Sequence, residues 1–277
     1  MHPAHLNRCY RGACSLTLAA FFSAILVSAQ TTPAPSAHEL IPPVPTTPEE
    51  QTKQRTLFEQ DEKMLRDWPN LARYQPENAR LQPAASDEKR VVFMGDSITE
   101  AWMNHGTGAS EQNPGFFPGK PYIDRGISGQ TTPQMLLRFR QDVLNLKPAV
   151  VVIFAGTNDV AGNTGPITAE QTEGNITSMA ELAHANGIKV VLCSVLPAYE
   201  FKWRPGREPA QKIIAINNWI KSYAAANKYP YVDFHTAMAD ERGGLPEKLS
   251  HDGVHPTAAG YAIMNPLVEA GIMEALK

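Results

Sequence analysis

The chain has 277 residues, 43% hydrophobic and 19% charged, a composition ordinary for one soluble globular domain with an appendage or two. Its formal net charge is −3, and falls to −5 if the first 29 residues are removed, because they carry two arginines and no acid. Nucleic acid is therefore excluded as a natural partner, since contacts to phosphates need a basic face.

The first residues combine Arg8 and Arg11 with an apolar run from about Leu16 to Val27 and a Val27-Ser28-Ala29 ending. This pattern predicts a secretory signal peptide over 1–29. The apolar run is shorter than the ~20 residues a membrane-spanning helix needs, so a secreted or periplasmic protein with no stable membrane insertion after cleavage is expected. Cys9 and Cys14 leave with the leader. Cys193, in the apolar run Val190-Val191-Leu192-Cys193, then has no disulfide partner and reads as a small buried hydrophobe.

Residues 30–48 are rich in Pro, Thr and Ala and read as a linker. An N-terminal helical extension is expected over 49–85, where Leu57, Met64, Leu65 and Trp68 fall on one face of a 3.6-residue period that would pack on the main domain. From residue 86 the pattern alternates. Apolar runs at Arg90–Met94, Tyr122–Arg125, Ala149–Ala155, Ile188–Val195 and Tyr229–Phe234 are separated by helical patterns at about Pro133–Leu146, Ala169–Asn186, Pro209–Asn227 and Ala258–Leu276. That rhythm predicts a three-layer α/β/α sandwich around a parallel sheet of about five strands, covering 86–277.

Small and polar residues follow the predicted strands in Gly95-Asp96-Ser97, Gly126-Ile127-Ser128-Gly129 and Gly156-Thr157-Asn158-Asp159, and His251-Asp252-Gly253-Val254-His255 precedes the last helix. Loops beyond the carboxyl ends of parallel strands converge on one sheet edge. Ester cleavage needs a hydroxyl activated by a base, a base held in one tautomer, and donors fixed in advance for the oxyanion. Ser97 can attack, His255 can take its proton, and Asp252 can accept from the other ring nitrogen. The backbone N–H groups of Ser97 and Gly129 and the side-chain amide of Asn158 can serve the oxyanion. Asp96 and Asp159, each beside a strand-to-helix turn, suit helix capping better than chemistry.

These four blocks, GDS at Gly95–Ser97, Gly129, GTND at Gly156–Asp159 and DGVH at Asp252–His255, resemble in order and spacing the SGNH or GDSL hydrolase family from about Val91 to the end of the chain. The resemblance implies a flavodoxin-like sheet of strand order 2-1-3-4-5 and esterase activity without metal or other cofactor. It implies Ser97 as nucleophile, Asp252 and His255 as its partners, and Gly129 and Asn158 as oxyanion donors. It also favours His255 over His251 as base and Gly129 over Gly126 as donor.

Substrate contacts are expected from two loops, Ala101–Lys120 with Trp102, Phe116 and Phe117, and Pro197–Pro209 with Tyr199, Phe201, Trp203 and Arg204. Trp102, Trp203 and Arg204 are the residues expected to bind substrate. The expected substrate is a small-molecule or polysaccharide ester, with acetyl groups on a carbohydrate such as acetylated xylan foremost. Other short-chain esters, lysophospholipids and thioesters share the same chemistry, and a non-catalytic carbohydrate-binding module on this fold is the reading from another class.

Overall fold

A computed structural model describes residues 47–85, 87–104 and 117–277. The expected leader, all but two residues of the linker, and Phe116 lie outside the described residues. Residues 1–52 and 53–277 form two units, and only 47–52 of the first are described.

In chain order the elements are α1 (Pro48–Arg66), α2 (Gln75–Arg80), β1 (Val91–Gly95), α3 (Ser97–Asn104), β2 (Tyr122–Gly126), α4 (Thr132–Asp142), a 3₁₀ turn (Leu144–Leu146) and β3 (Val150–Phe154). Then follow α5 (Thr157–Ala161), α6 (Ala169–Ala185), β4 (Lys189–Cys193), α7 (Pro209–Asn227), β5 (Tyr231–Val232), α8 (Phe234–Met238) and α9 (Ala258–Ala275). All strand pairs are parallel and their order is β2-β1-β3-β4-β5, as the resemblance implies.

The apolar runs form central strands because both sheet faces are covered and successive side chains point to opposite faces. Val92, Met94, Val151, Ile153, Val190 and Leu192 pack with Met135 and Phe139 of α4, Ile176 and Met179 of α6 and Ile213 and Ile216 of α7. Val91, Phe93, Val150, Val152, Val191 and Cys193 face the other way, against Ile98 and Trp102 of α3, Phe234 of α8 and Met264, Val268 and Ile272 of α9. Each large side chain buried this way contributes about 1.5–3 kcal/mol. Cys193 is buried and free, and burial pushes its thiol pKa up, so it behaves as a small hydrophobe.

Register places the site. Gly95 lies level with Gly126 on β2 and with Phe154 on β3, so the loops that follow these three strands leave the sheet at one edge. A Cβ on Gly126 would come within 2.2 Å of the Glu100 backbone nitrogen and 2.7 Å of the Asp96 carbonyl oxygen. Glycine there lets α3 lie directly on the strand ends.

The helical extension departs from expectation. Leu57, Phe58 and Leu65 on α1 are 51%, 68% and 87% exposed. Few apolar residues stand among the Gln, Glu, Asp, Lys and Arg of this helix, so its stripe is too thin to require burial. The extension is tied down instead by the segment after α1. The carbonyls of Trp68, Pro69 and Leu71 accept from the side-chain amides of Gln134 (2.7 Å), Gln130 (2.8 Å) and Gln141 (2.6 Å). Further along, the Tyr74 hydroxyl donates to the Gly126 carbonyl, and Asn78 donates to Asp142 (2.8 Å) while accepting from Arg125 (2.7 Å).

Candidate active site

Ser97 is the first residue of α3, directly after the β1 terminus. A helix must start here because Asp96 caps it: Asp96 Oδ1 accepts from the Ile98 backbone N–H at 2.9 Å. As a first-turn residue Ser97 also carries a backbone N–H with no partner inside the helix. Burial pushes the Asp96 carboxyl up to about 6, against the Ile98 hydrogen bond that favours its ionised form.

Ser97 Oγ lies 2.9 Å from His255 Nε2, across 158 residues of sequence. His255 Nδ1 lies 2.6 Å from Asp252 Oδ2. The other carboxylate oxygen, Asp252 Oδ1, accepts from the backbone N–H groups of Val254 (2.9 Å) and His255 (2.8 Å) and from the Ser250 hydroxyl (3.1 Å). Partial burial opposes ionisation of Asp252, but the hydrogen bonds from the His255 ring and these backbone groups outweigh it and hold the carboxyl well below the usual carboxylate range. A carboxylate facing Nδ1 fixes the proton there and leaves Nε2 as the acceptor facing the serine hydroxyl. The side chains of His255 and Asp252 are 40% and 44% exposed, so the pair opens to solvent and to an incoming ester.

Asn158 is buried, and its amide Nδ2 donates to the Gln130 carbonyl at 3.0 Å and to Asp96 Oδ2 at 3.3 Å. It therefore sits between the residue before Ser97 and the residue after Gly129. Gly129 adopts a positive φ of 76°, the left-handed region glycine enters without strain, and among the described residues other than its chain neighbours nothing lies within 4 Å of where its Cβ would be. The fully buried Arg138 guanidinium joins the same loops: it donates to the Gly95 carbonyl (3.0 Å), Gln130 Oε1 (2.6 Å) and Asp142 Oδ2 (3.2 Å). Asp159 accepts from the Thr132 backbone N–H at 3.0 Å and so caps α4. His251 is exposed.

The sequence profile of the GDSL-like lipase/acylhydrolase family matches residues 93–263. The chain belongs to this family. A GDSL-like lipase from Bacteroides thetaiotaomicron VPI-5482 is 52% identical with a TM-score of 0.70, over 75% of this chain and 98% of that one. Platelet-activating factor acetylhydrolase IB subunit alpha2 of Gallus gallus is 30% identical over 207 residues, 72% of this chain and 83% of that protein. Esterase TesA of Pseudomonas aeruginosa is 33% identical over 184 residues, 64% of this chain and 84% of that protein. This GDSL chain is a carboxylic ester hydrolase.

Beside the Gly129 loop of the GDSL domain lies a cleft of about 850 Å³ whose lining includes Glu62, Asp67, Trp68, Gly129, Asn163 and Trp203. Trp203, expected to contact substrate, is 42% exposed there. Trp102 is not in it. With Ile98 one helical turn away, it points into the core, 4% exposed, its ring 5.8 Å from Phe93 and 5.3 Å from Tyr261 and its indole N–H bonded to Asn265 Oδ1 at 2.7 Å. Phe117 stacks on Phe93, and Phe201 is buried, so neither forms an open wall. Arg204 is exposed on the turn after Phe201 and is absent from the residues lining the cleft. Sequence reasoning did not single out Gln130, Arg138 or Asn163; the only signal for Asn163 was its place right after Gly162, in the loop that presents Asn158.

Among the described residues no group of three or more His, Cys, Asp or Glu could hold a metal ion, and no helix is long and apolar enough to cross a membrane.

Proposed function

We propose that this GDSL enzyme is an exported serine esterase that removes acetyl and similar short acyl groups from hydroxylated substrates, carbohydrates foremost. The observation that carries the reading is the continuous chain of contacts from Ser97 Oγ through the His255 ring to Asp252. Ser97 Oγ attacks the acyl carbon as its proton passes to His255 Nε2, and Asp252 stabilises the imidazolium. The carbonyl oxygen, now anionic, is held by the N–H groups of Ser97 and Gly129 and by Asn158 Nδ2, which exchanges its longer contact to Asp96 Oδ2 (3.3 Å) for the oxyanion. Collapse of the tetrahedral centre breaks the ester C–O bond, and the proton on Nε2 leaves with the alcohol. Water then attacks the acyl-enzyme, with His255 again the base, releasing the carboxylate and restoring the serine hydroxyl.

Two features support a small acyl group on a polar leaving group. The cleft beside Gly129 is lined by Trp68, Trp203 and Ile127 together with acids, Arg66, amides and hydroxyls, a mixture that suits a sugar ring stacked on an aromatic face and hydrogen-bonded at its edge. A 30% identical relative is an acetylhydrolase by name. The leader pattern at residues 1–29 supports export.

The test is acetate release from acetylated xylan and acetylated oligosaccharides beside a series of p-nitrophenyl esters of increasing chain length. The reading expects the highest kcat/KM on acetyl esters and a further gain on the acetylated sugar. Rates that rise with chain length, or no release from any acetylated carbohydrate, overturn it.

A further inference from the structure

An oxyanion donor of the asparagine type works only if its NH₂ end, and not its carbonyl end, faces the substrate. The two ends have the same shape, so the surroundings must decide. At one end of Asn158 the Gln130 carbonyl, which can only accept, calls for the NH₂; at the other end a second amide makes the same choice. Asn163 Nδ2 donates to Asn158 Oδ1 at 2.6 Å, and Asn163 Oδ1 accepts from the indole N–H of Trp203 at 3.0 Å. An indole N–H can only donate. The Asn163 atom it meets is therefore the oxygen, which turns the Asn163 NH₂ toward Asn158. The Asn158 atom it meets is in turn an oxygen, which aims the Asn158 NH₂ at Gln130 and Asp96, next to Gly129 and Ser97.

The geometry points to Asn163 as a positioning residue for the ester hydrolysis, with Trp203 setting its polarity from the cleft. The inference rests on the reading of Asn158 as an oxyanion donor. Asn163 is itself anchored, since its backbone N–H donates to the Asn158 carbonyl at 3.0 Å and Gly162, at φ 69°, turns the chain between them. Its Nδ2 also reaches the Gly129 carbonyl at 3.4 Å, so the amide spans both loops that supply oxyanion donors. Trp203 is the one donor-only group in the relay, and its ring is packed 5.0 Å from buried Phe201, which fixes where the N–H points. Trp203 thus has two roles, a wall of the cleft and the end of the relay.

The test is a set of kinetic cycles on p-nitrophenyl acetate, a substrate too small to need a sugar subsite, with thermal melts of each variant. Asn158→Ala should lower kcat by about 10²–10³. Asn163→Ala should lower kcat roughly 10–100-fold with KM unchanged, as losses of orienting partners do. Asn163→Asp, which keeps the size and cannot donate to Asn158, should do the same if the alanine variant folds poorly. Trp203→Phe, which keeps the ring and removes the N–H, should lower kcat several-fold, and should add nothing in the Asn163→Ala background. The Asn158→Ala/Asn163→Ala double variant should be no slower than Asn158→Ala alone, because Asn163 acts through Asn158. If the two losses multiply, or if Asn163→Ala and Asn163→Asp retain the wild-type kcat, the relay is overturned while the oxyanion reading stands. If Asn158→Ala itself retains the wild-type kcat, the oxyanion reading falls and the relay with it.

Discussion

Replacing Asp252 by Asn and by Ala should give two different losses, and the contacts around this carboxylate say which is larger. Oδ1 is surrounded by three donors, from Val254, His255 and Ser250, so an asparagine at this position must put its oxygen there. Its NH₂ then takes the place of Oδ2, 2.6 Å from His255 Nδ1. A donor facing Nδ1 drives the ring proton to Nε2, the nitrogen that has to accept from Ser97. Asp252→Ala imposes no such tautomer and lets water reach Nδ1. Its cost is mainly the lost charge: for ions about 4 Å apart the attraction is ~4 kcal/mol at an effective dielectric of ~20 and ~1 kcal/mol in water. With both side chains about two-fifths exposed, solvent screening brings this to about 2 kcal/mol, or roughly 30-fold in rate. Asp252→Asn should instead lose about 10⁴ in kcat. The assay is kcat and KM on p-nitrophenyl acetate with melts to confirm folding. An Asp252→Asn variant as active as Asp252→Ala would refute the tautomer argument.

Trp102→Ala should destabilise the protein by about 3–5 kcal/mol by opening the core beneath α3, yet leave KM for small esters within about twofold when measured below its melt; a raised KM at unchanged stability would return Trp102 to the substrate site. Asp124, buried with Oδ2 unpartnered, has its carboxyl pushed up from 3.8 to about 8 by burial. The folded state therefore holds this proton to higher pH than the unfolded chain, and the wild type loses stability as pH rises through that window. Asp124→Asn should remove that slope, so the variant gains on the wild type between pH 5 and pH 8 in denaturant melts; parallel curves for the two proteins would contradict the assignment.

The sequence made the sheet and the long helices legible because both carry strong patterns: unbroken apolar runs for strands buried on two faces, and Pro133, Pro209 and Thr257 near helix starts. It also made the four blocks legible, since the chemistry concentrates in short loops after strands. What it hid depends on contacts far apart in the chain. The strand run at Tyr229–Phe234 yields only the two-residue edge strand Tyr231–Val232 because Asp233 caps α8, accepting from the Thr236 backbone N–H at 2.9 Å, and turns Phe234 into a helix. The α1 stripe had helical spacing but too little apolar mass to be covered. Trp102 read as a loop residue because its glycine- and proline-rich neighbours obscured the four-residue spacing from Ile98, which carries α3 onward to Asn104. Arg138 gave no local signal and Asn163 only its place after Gly162, since their partners are fixed only once the loops meet.

The central claim is that Ser97 carries the acyl group through the reaction. The most direct measurement is rapid quenching of the enzyme during turnover of p-nitrophenyl acetate, followed by peptide mass spectrometry, with Ser97→Ala run in parallel. One acetyl group on the peptide containing Ser97, absent from a Ser97→Ala protein slowed by about 10⁴–10⁶ in kcat, is the predicted result. Acetyl found on another residue, or a Ser97→Ala enzyme that keeps most of its rate, would contradict it.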